Sequence, residues 1–192
     1  MRNLLIDKLV NAVKFGNFIL SSGKKSTVYI DIKSVCTDPE ILKLVCNEIL
    51  EQTQDVNWDK IVCAELGGVP IAVSLSLSTG KPYTIFRKPG RSHGVKETFV
   101  GKITKGERVL VVEDVTTTGS SVMKVIKEVK NCDGKILGVI SVVDRGEGAL
   151  ELLQKENFTS LVTLEELKKR KIFGNKERGG KDENSRSLQS LQ

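Results

Sequence analysis

The stretch Val111-Val112-Glu113-Asp114-Val115-Thr116-Thr117-Thr118-Gly119-Ser120-Ser121 carries the densest chemistry in this chain. An apolar run leads into two carboxylates. A hydroxyl- and glycine-rich turn follows, and then an amphipathic segment begins. A helix starting there presents free N–H groups and the positive end of its dipole to an anion. Gly119 lets the backbone approach that anion closely, and the Thr116–Thr118, Ser120 and Ser121 hydroxyls add donors. The pattern reads as a phosphate site. Glu113 and Asp114 cannot hold phosphate, whereas vicinal sugar hydroxyls or a Mg²⁺ shell would suit them. The competing reading is that a hydroxyl caps a helix and the acids lie on a solvated edge. A Walker loop, G-x-x-x-x-G-K-[ST], is absent.

A second group is Arg87, Lys88, Arg91 and His93, the last being the single histidine of the chain. Cations on a loop can close over a departing polyanion and stabilise the charge that develops as its bond breaks. His93 can donate a proton or contact phosphate. The plainer alternative is a solvated basic loop. In Glu65-Leu66-Gly67-Gly68-Val69-Pro70, Gly67 and Gly68 would offer backbone N–H groups to a diphosphate, or simply make a tight strand-to-helix turn. Tyr29 is suited to stacking on a planar base, and equally to being an ordinary strand aromatic.

Elements must position these groups. Leu5, Ile6, Leu9 and Val13 predict a first helix, and the runs 18–20 and 28–32 around a Gly/Ser turn predict a hairpin. Pro39 opens a helix that runs through Leu50. Apolar strands at 61–64, 83–86, 108–112, 136–143 and 160–164 alternate with helices at 69–78, 122–129, 149–153 and 165–171. That alternation predicts a parallel sheet covered on both faces, with ligands at the carboxyl ends of the strands. Function is then expected just after Ala64, Phe86, Val112 and Val143. Residues 88–102, charged and glycine-containing, predict a mobile loop. Trp58 and Phe99 carry no clear signal.

With 192 residues, 39% hydrophobic, the chain suits one domain, expected over 1–173, followed by a disordered basic and polar tail over 174–192. No apolar run approaches the roughly 20 residues of a membrane span, and charge comes too early for a secretory segment, so a cytoplasmic protein is expected. Cys36, Cys46, Cys63 and Cys132 form no C-x-x-C pair and are read as small buried thiols. Net charge is +6 with 5% aromatic residues, a balance that favours a small polyanionic substrate over nucleic acid.

The 111–121 constellation resembles the signature of the type I phosphoribosyltransferases, which bind phosphoribosyl pyrophosphate (PRPP). The likeness extends further. Phe15-Gly16-Asn17-Phe18-Ile19-Leu20-Ser21-Ser22-Gly23-Lys24-Lys25-Ser26 with Tyr29-Ile30-Asp31 is similar to the N-terminal signature of orotate phosphoribosyltransferases. Arg87-Lys88-x-x-Arg91-x-His93-Gly94 is similar to their catalytic loop, and Asp144-Arg145 to their strand-end pair. Four matches in order, spanning Phe15 to Leu167, make coincidence a poor explanation.

The resemblance implies an α/β type I phosphoribosyltransferase fold with a small hood built mainly from residues 1–35. It implies transfer of ribose 5-phosphate from PRPP to orotate, with Mg²⁺ on the PRPP near Glu113 and Asp114, and a place in pyrimidine biosynthesis. Asp114 with Glu113 would hold the ribose hydroxyls and Thr116 to Ser120 the 5-phosphate, with Val115 and Ser121 completing the PRPP-binding stretch. Gly67 and Gly68 would face pyrophosphate; Tyr29, Thr117 and Arg145 would meet orotate. A homodimer is implied, its 88–102 loop acting on the neighbour's site. Lysines frequent in the family are replaced by Ser21 and Gly67, with Lys24, Lys25 or Lys33 available to compensate, and Glu113-Asp114 stands where two aspartates are frequent. The alternatives are a purine phosphoribosyltransferase and a PRPP-sensing, nucleic-acid-binding regulator. Arg145 and the N-terminal signature argue against the first. The absence of room for a helix-turn-helix argues against the second.

Overall fold

The computed structural model describes residues 1–19, 23, 25–87 and 98–172. Lys88, Arg91, His93, Lys24, Ser21 and the expected tail lie outside them.

Six strands form the central sheet: β3 (Lys60–Ala64), β4 (Tyr83–Phe86), β5 (Phe99–Val100), β6 (Arg108–Thr116), β7 (Lys135–Asp144) and β8 (Phe158–Thr163). Their order is β5-β4-β3-β6-β7-β8, and all neighbours are parallel except the edge strand β5, which runs antiparallel to β4. Side chains of a strand alternate between faces. Ile61, Cys63, Leu110 and Val112 therefore enter one core, and Val62, Ala64, Val109 and Val111 enter the other. With both faces buried, these strands have no polar positions to show, and continuous apolar runs result.

The first core is covered by α3 (Pro39–Gln52) and α4 (Gly68–Thr79), the second by α5 (Ser120–Asn131). Asp38 caps α3 by accepting the Glu40 N–H at 2.8 Å, and Pro39 fills the first turn, where a missing N–H costs nothing. Gly80, at φ 70°, ends α4 in the left-handed conformation that a Cβ disfavours. Val122, Val125, Ile126 and Val129 of α5 are all buried, at helical spacing. Each such side chain contributes about 1.5–3 kcal/mol on burial. A short α6 (Ala149–Leu152) and a last helix, α7, over 164–172 complete the layers.

The hood is α1 (Arg2–Leu9), a 3-10 turn at Val10–Ala12, the two-stranded antiparallel β1 (Val13–Ile19) and β2 (Lys25–Ile30), and the short α2 (Ile32–Val35). Here the structure corrects several expectations. Val13 is not helical: it starts β1, paired with Ile30. Ile32 leaves the hairpin for α2. Within 88–102, Phe99 and Val100 form β5, with Phe99 buried and packed edge-on against Phe86 at 5.8 Å. Trp58 is also core, with the Lys81 ammonium 3.8 Å from its ring centroid. Strand β6 does not stop at its apolar run, because β7 continues beside it and pairs it out to Thr116–Asp144. Three cysteines are buried, but Cys132 is exposed at the end of α5.

Candidate active site

Parallel strands bring their carboxyl ends to one edge, and the candidate residues gather there. Gly67 and Gly68 follow β3, Arg87 follows β4, the 117–119 bend follows β6, and Arg145 follows β7. Arg87 is exposed, and its N–H donates to the Thr98 carbonyl at 2.9 Å, so residues 87 and 98 meet at the base of the 88–97 segment.

Asp114 sits at the centre. It occupies the β6 face of Leu110 and Val112, toward the hood, and it is half-buried. Gly67 is pressed against it: a Cβ built at Gly67 would lie 1.9 Å from Asp114 Oδ2. A side chain at position 67 would collide with the carboxylate on this backbone. That gives a physical reason for the missing lysine there. Gly68 is constrained differently, since its Cβ would fall 2.9 Å from Cys63 Cβ and 3.1 Å from the Val112 carbonyl. The two glycines thus set the start of α4 directly on the sheet.

Glu113 does not lie on a solvated edge. It is 9% exposed and pairs in register with Ser141. Its charge is felt by Cys63, whose thiol is pushed up to about 12, first by burial and then by Glu113. Cys36 is likewise pushed up to about 12 by burial, with Asp114 adding to the shift.

The turn after β6 is shaped by Gly119, at φ 79° and directly before α5. It makes no side-chain cap, so the first turn of α5 keeps N–H groups that the N-cap side chain does not satisfy. Thr117 and Thr118 are half-buried, and Ser120 and Ser121 exposed. The Thr118 and Ser120 hydroxyls are 2.9 Å apart. Thr116 faces inward instead: its hydroxyl donates to Asp144 Oδ1 at 3.1 Å and lies 3.2 Å from Ser141 Oγ. Asp144 Oδ1 also accepts the Gly146 N–H, and the Arg145 N–H donates to the Thr116 carbonyl. These bonds clamp the ends of β6 and β7 together.

Arg145 reaches from the sheet to the hood. Its Nη1 donates to the Val28 carbonyl at 3.3 Å, its Nη2 to Ser26 Oγ at 3.2 Å, and its Nε to Glu147 Oε1 at 2.7 Å. Glu147 was not foreseen from sequence; the only hint is an acid two residues after the arginine. Nearby in the hood, Tyr29 packs on Phe18 with ring centroids 5.4 Å apart. Lys33 donates to the Tyr29 hydroxyl at 3.0 Å and lies 3.8 Å from Asp31 Oδ1. That hydrogen bond, with lesser contributions from Asp31 and Asp114, holds the Lys33 ammonium above its ordinary pKa. Burial alone would raise Asp31, but hydrogen bonds from Lys14 and Ser34 and the nearby lysine charges outweigh it and hold the carboxyl low. Lys33, one of the candidate compensating lysines, feels the Asp114 charge. Among the described residues, no cluster of three or more His, Cys, Asp or Glu could hold a metal unaided, and no helix is long and apolar enough to cross a membrane.

Residues 37–169 match the phosphoribosyl transferase domain family. An orotate phosphoribosyltransferase of Methanocaldococcus jannaschii is 50% identical over 167 residues, which cover 86% of this chain and 93% of the relative. The crystal structure of the orotate phosphoribosyltransferase from Aeropyrum pernix superposes with a TM-score of 0.75 at 34% identity, covering 88% of this chain and 96% of that one. The Mycobacterium tuberculosis enzyme in complex with PRPP gives 0.72 at 28% identity, covering 86% and 98%. The fold described above is that of a type I phosphoribosyltransferase, and the chain belongs to the orotate phosphoribosyltransferase family.

Proposed function

We propose that this protein transfers the ribose 5-phosphate of PRPP to orotate, giving orotidine 5′-monophosphate and pyrophosphate for pyrimidine nucleotide synthesis. The observation that carries the reading is the clamped pair of strand ends. It sets an N-terminal helix turn suited to a phosphate beside an arginine suited to a carboxylate. In this reading the first turn of α5, with Thr117, Thr118, Ser120 and Ser121, binds the 5-phosphate. Asp114, supported by the buried Glu113, accepts hydrogen bonds from the ribose hydroxyls. The backbone N–H groups at Gly67 and Gly68 face pyrophosphate, and Tyr29 covers the base.

The reaction breaks the bond from ribose C1 to the pyrophosphate oxygen and forms one from C1 to a ring nitrogen of orotate, whose proton leaves to the pyrophosphate or to solvent. The protein's task is to hold both partners about an electron-poor ribose and to stabilise charge on the departing group. Arg87 is placed for this, and we assign Lys88, Arg91 and His93 to the same work. Mg²⁺ typically binds through one or two carboxylates plus substrate phosphates. The half-buried Asp114, beside the buried Glu113, suits a Mg²⁺ brought by PRPP, where it would neutralise diphosphate charge. We further propose a cytosolic homodimer whose 88–102 segment serves the neighbouring site.

A panel of bases with PRPP and Mg²⁺, read by pyrophosphate release, tests the assignment. Orotate should be consumed, with adenine, hypoxanthine and uracil nearly untouched. Turnover of a purine without turnover of orotate would overturn it. Arg145→Ala should raise the orotate KM by about 10- to 150-fold, since a charged hydrogen bond contributes roughly 1.5–3 kcal/mol. An unchanged KM in that variant would remove Arg145 from base recognition.

A further inference from the structure

We infer that Glu147 is an internal stand-in for the substrate carboxylate: it occupies Arg145 and must be expelled for orotate to bind. This rests on the proposed role of Arg145 and goes further, because it adds a competitor built into the chain. The Arg145 side chain is only 7% exposed. A buried guanidinium is costly without an anionic partner. Among the described residues its side chain donates to the neutral Val28 carbonyl and Ser26 hydroxyl and to Glu147, at 2.7 Å from Nε, which supplies the negative charge.

A second carboxylate arriving at the same guanidinium would lie beside the first. Like charges at such range in a half-dry site repel strongly, so one must leave. Glu147 is built to leave. Its side chain is already 34% exposed, so withdrawal into water needs little rearrangement. It stands between Gly146 at φ 70° and Gly148 at φ 108°, and a Cβ at either glycine would meet nothing within 4 Å. That open space leaves room for the Glu147 side chain to turn outward, while the Gly146 N–H bond to Asp144 Oδ1 and the Gly148 carbonyl bond to the Leu152 N–H hold the flanks. A ligand without a carboxylate has nothing to exchange for Glu147 and leaves the pair intact. The exchange keeps the arginine neutralised in both states, and its cost is borne only by the carboxylate ligand.

Two nucleotides that differ only in the carboxylate isolate this effect. Dissociation constants of orotidine 5′-monophosphate and uridine 5′-monophosphate are measured by calorimetry on wild type, Glu147→Gln, Glu147→Asp and Arg145→Ala. Glu147→Gln should bind the orotidine nucleotide about two- to fivefold more tightly, the scale of one partly exposed ion pair removed, with uridine nucleotide binding unchanged or weaker. Glu147→Asp should fall between, and its retained carboxylate guards against a hood loosened in the glutamine variant. If neither variant increases the preference for the orotidine nucleotide, or if preference falls, Glu147 merely orients Arg145 and the inference is overturned. A wild type that shows no preference removes the orotate reading and this inference together. Preference in wild type, lost in Arg145→Ala but unmoved in Glu147→Gln, removes only the inference.

Discussion

Asp114→Asn should fold as the native chain does and lose about 10²- to 10³-fold in kcat/KM with PRPP. The carboxylate is proposed to accept two hydrogen bonds from ribose hydroxyls, each contributing roughly 1.5–3 kcal/mol because the acceptor is charged. Every 1.36 kcal/mol withdrawn from the transition state is tenfold in rate, and the lower half of that range already reaches the expected loss. An amide presents one acceptor oxygen and an NH₂ group that cannot accept at all. The fold is expected to survive, since Asp114 is only half-buried and the hydrogen bonds of β6 are made by its backbone. Circular dichroism and a thermal melt establish the fold; initial rates establish the loss. A folded Asp114→Asn variant within tenfold of native activity would remove Asp114 from the proposed role.

Gly67→Ala should be nearly as damaging although it removes no functional group. One methyl at that position would sit 1.9 Å from Asp114 Oδ2 and 2.1 Å from its Cγ. Such contacts are far inside van der Waals range, so either the Asp114 side chain rotates away or the 65–68 turn shifts off the sheet. Gly68 resists the second route, being packed against Cys63 and the Val112 carbonyl. The carboxylate is therefore expected to move, with a fall in kcat/KM of about 10²-fold, in line with the sensitivity of catalysis to misplacement by about 1 Å. Combining the two variants supplies the check. If Gly67→Ala acts through Asp114, the double variant should be little worse than Asp114→Asn alone, whereas independent effects would multiply. Multiplicative losses would place the damage elsewhere in the turn.

Much of this architecture was readable because burial on both faces leaves a plain trace. The runs at 61–64 and 108–112 are apolar without alternation, as strands covered on both sides must be, and Val122, Val125, Ile126 and Val129 repeat at helical spacing. What was not readable depends on partners distant in the chain. Glu113 and Asp114 look like a strand's end, yet they lie within β6, because β7 supplies a ladder that outweighs their poor strand propensity. Phe99 shows no periodicity; it is a strand residue only because β4 offers it an edge. The contact of Gly67 with Asp114 requires β3 and β6 to be parallel neighbours, which no local pattern states. The runs 18–20 and 28–32 around a Gly/Ser turn named the hairpin, but not the bonds from Arg145 to Ser26 and Val28 that tie it to the sheet.

That β6 and β7 are locked at their tips has a consequence for which molecules can fit. Neighbouring strands stand about 4.8 Å apart, and the bonds among Thr116, Ser141, Asp144, Arg145 and Gly146 hold that spacing at the very end of the ladder. The proposed phosphate turn departs from one tip and the proposed base-reading arginine from the other. Their separation behaves as a fixed gauge. Under those proposed roles, a nucleotide is expected to be measured by the span from its phosphate to the far edge of its base.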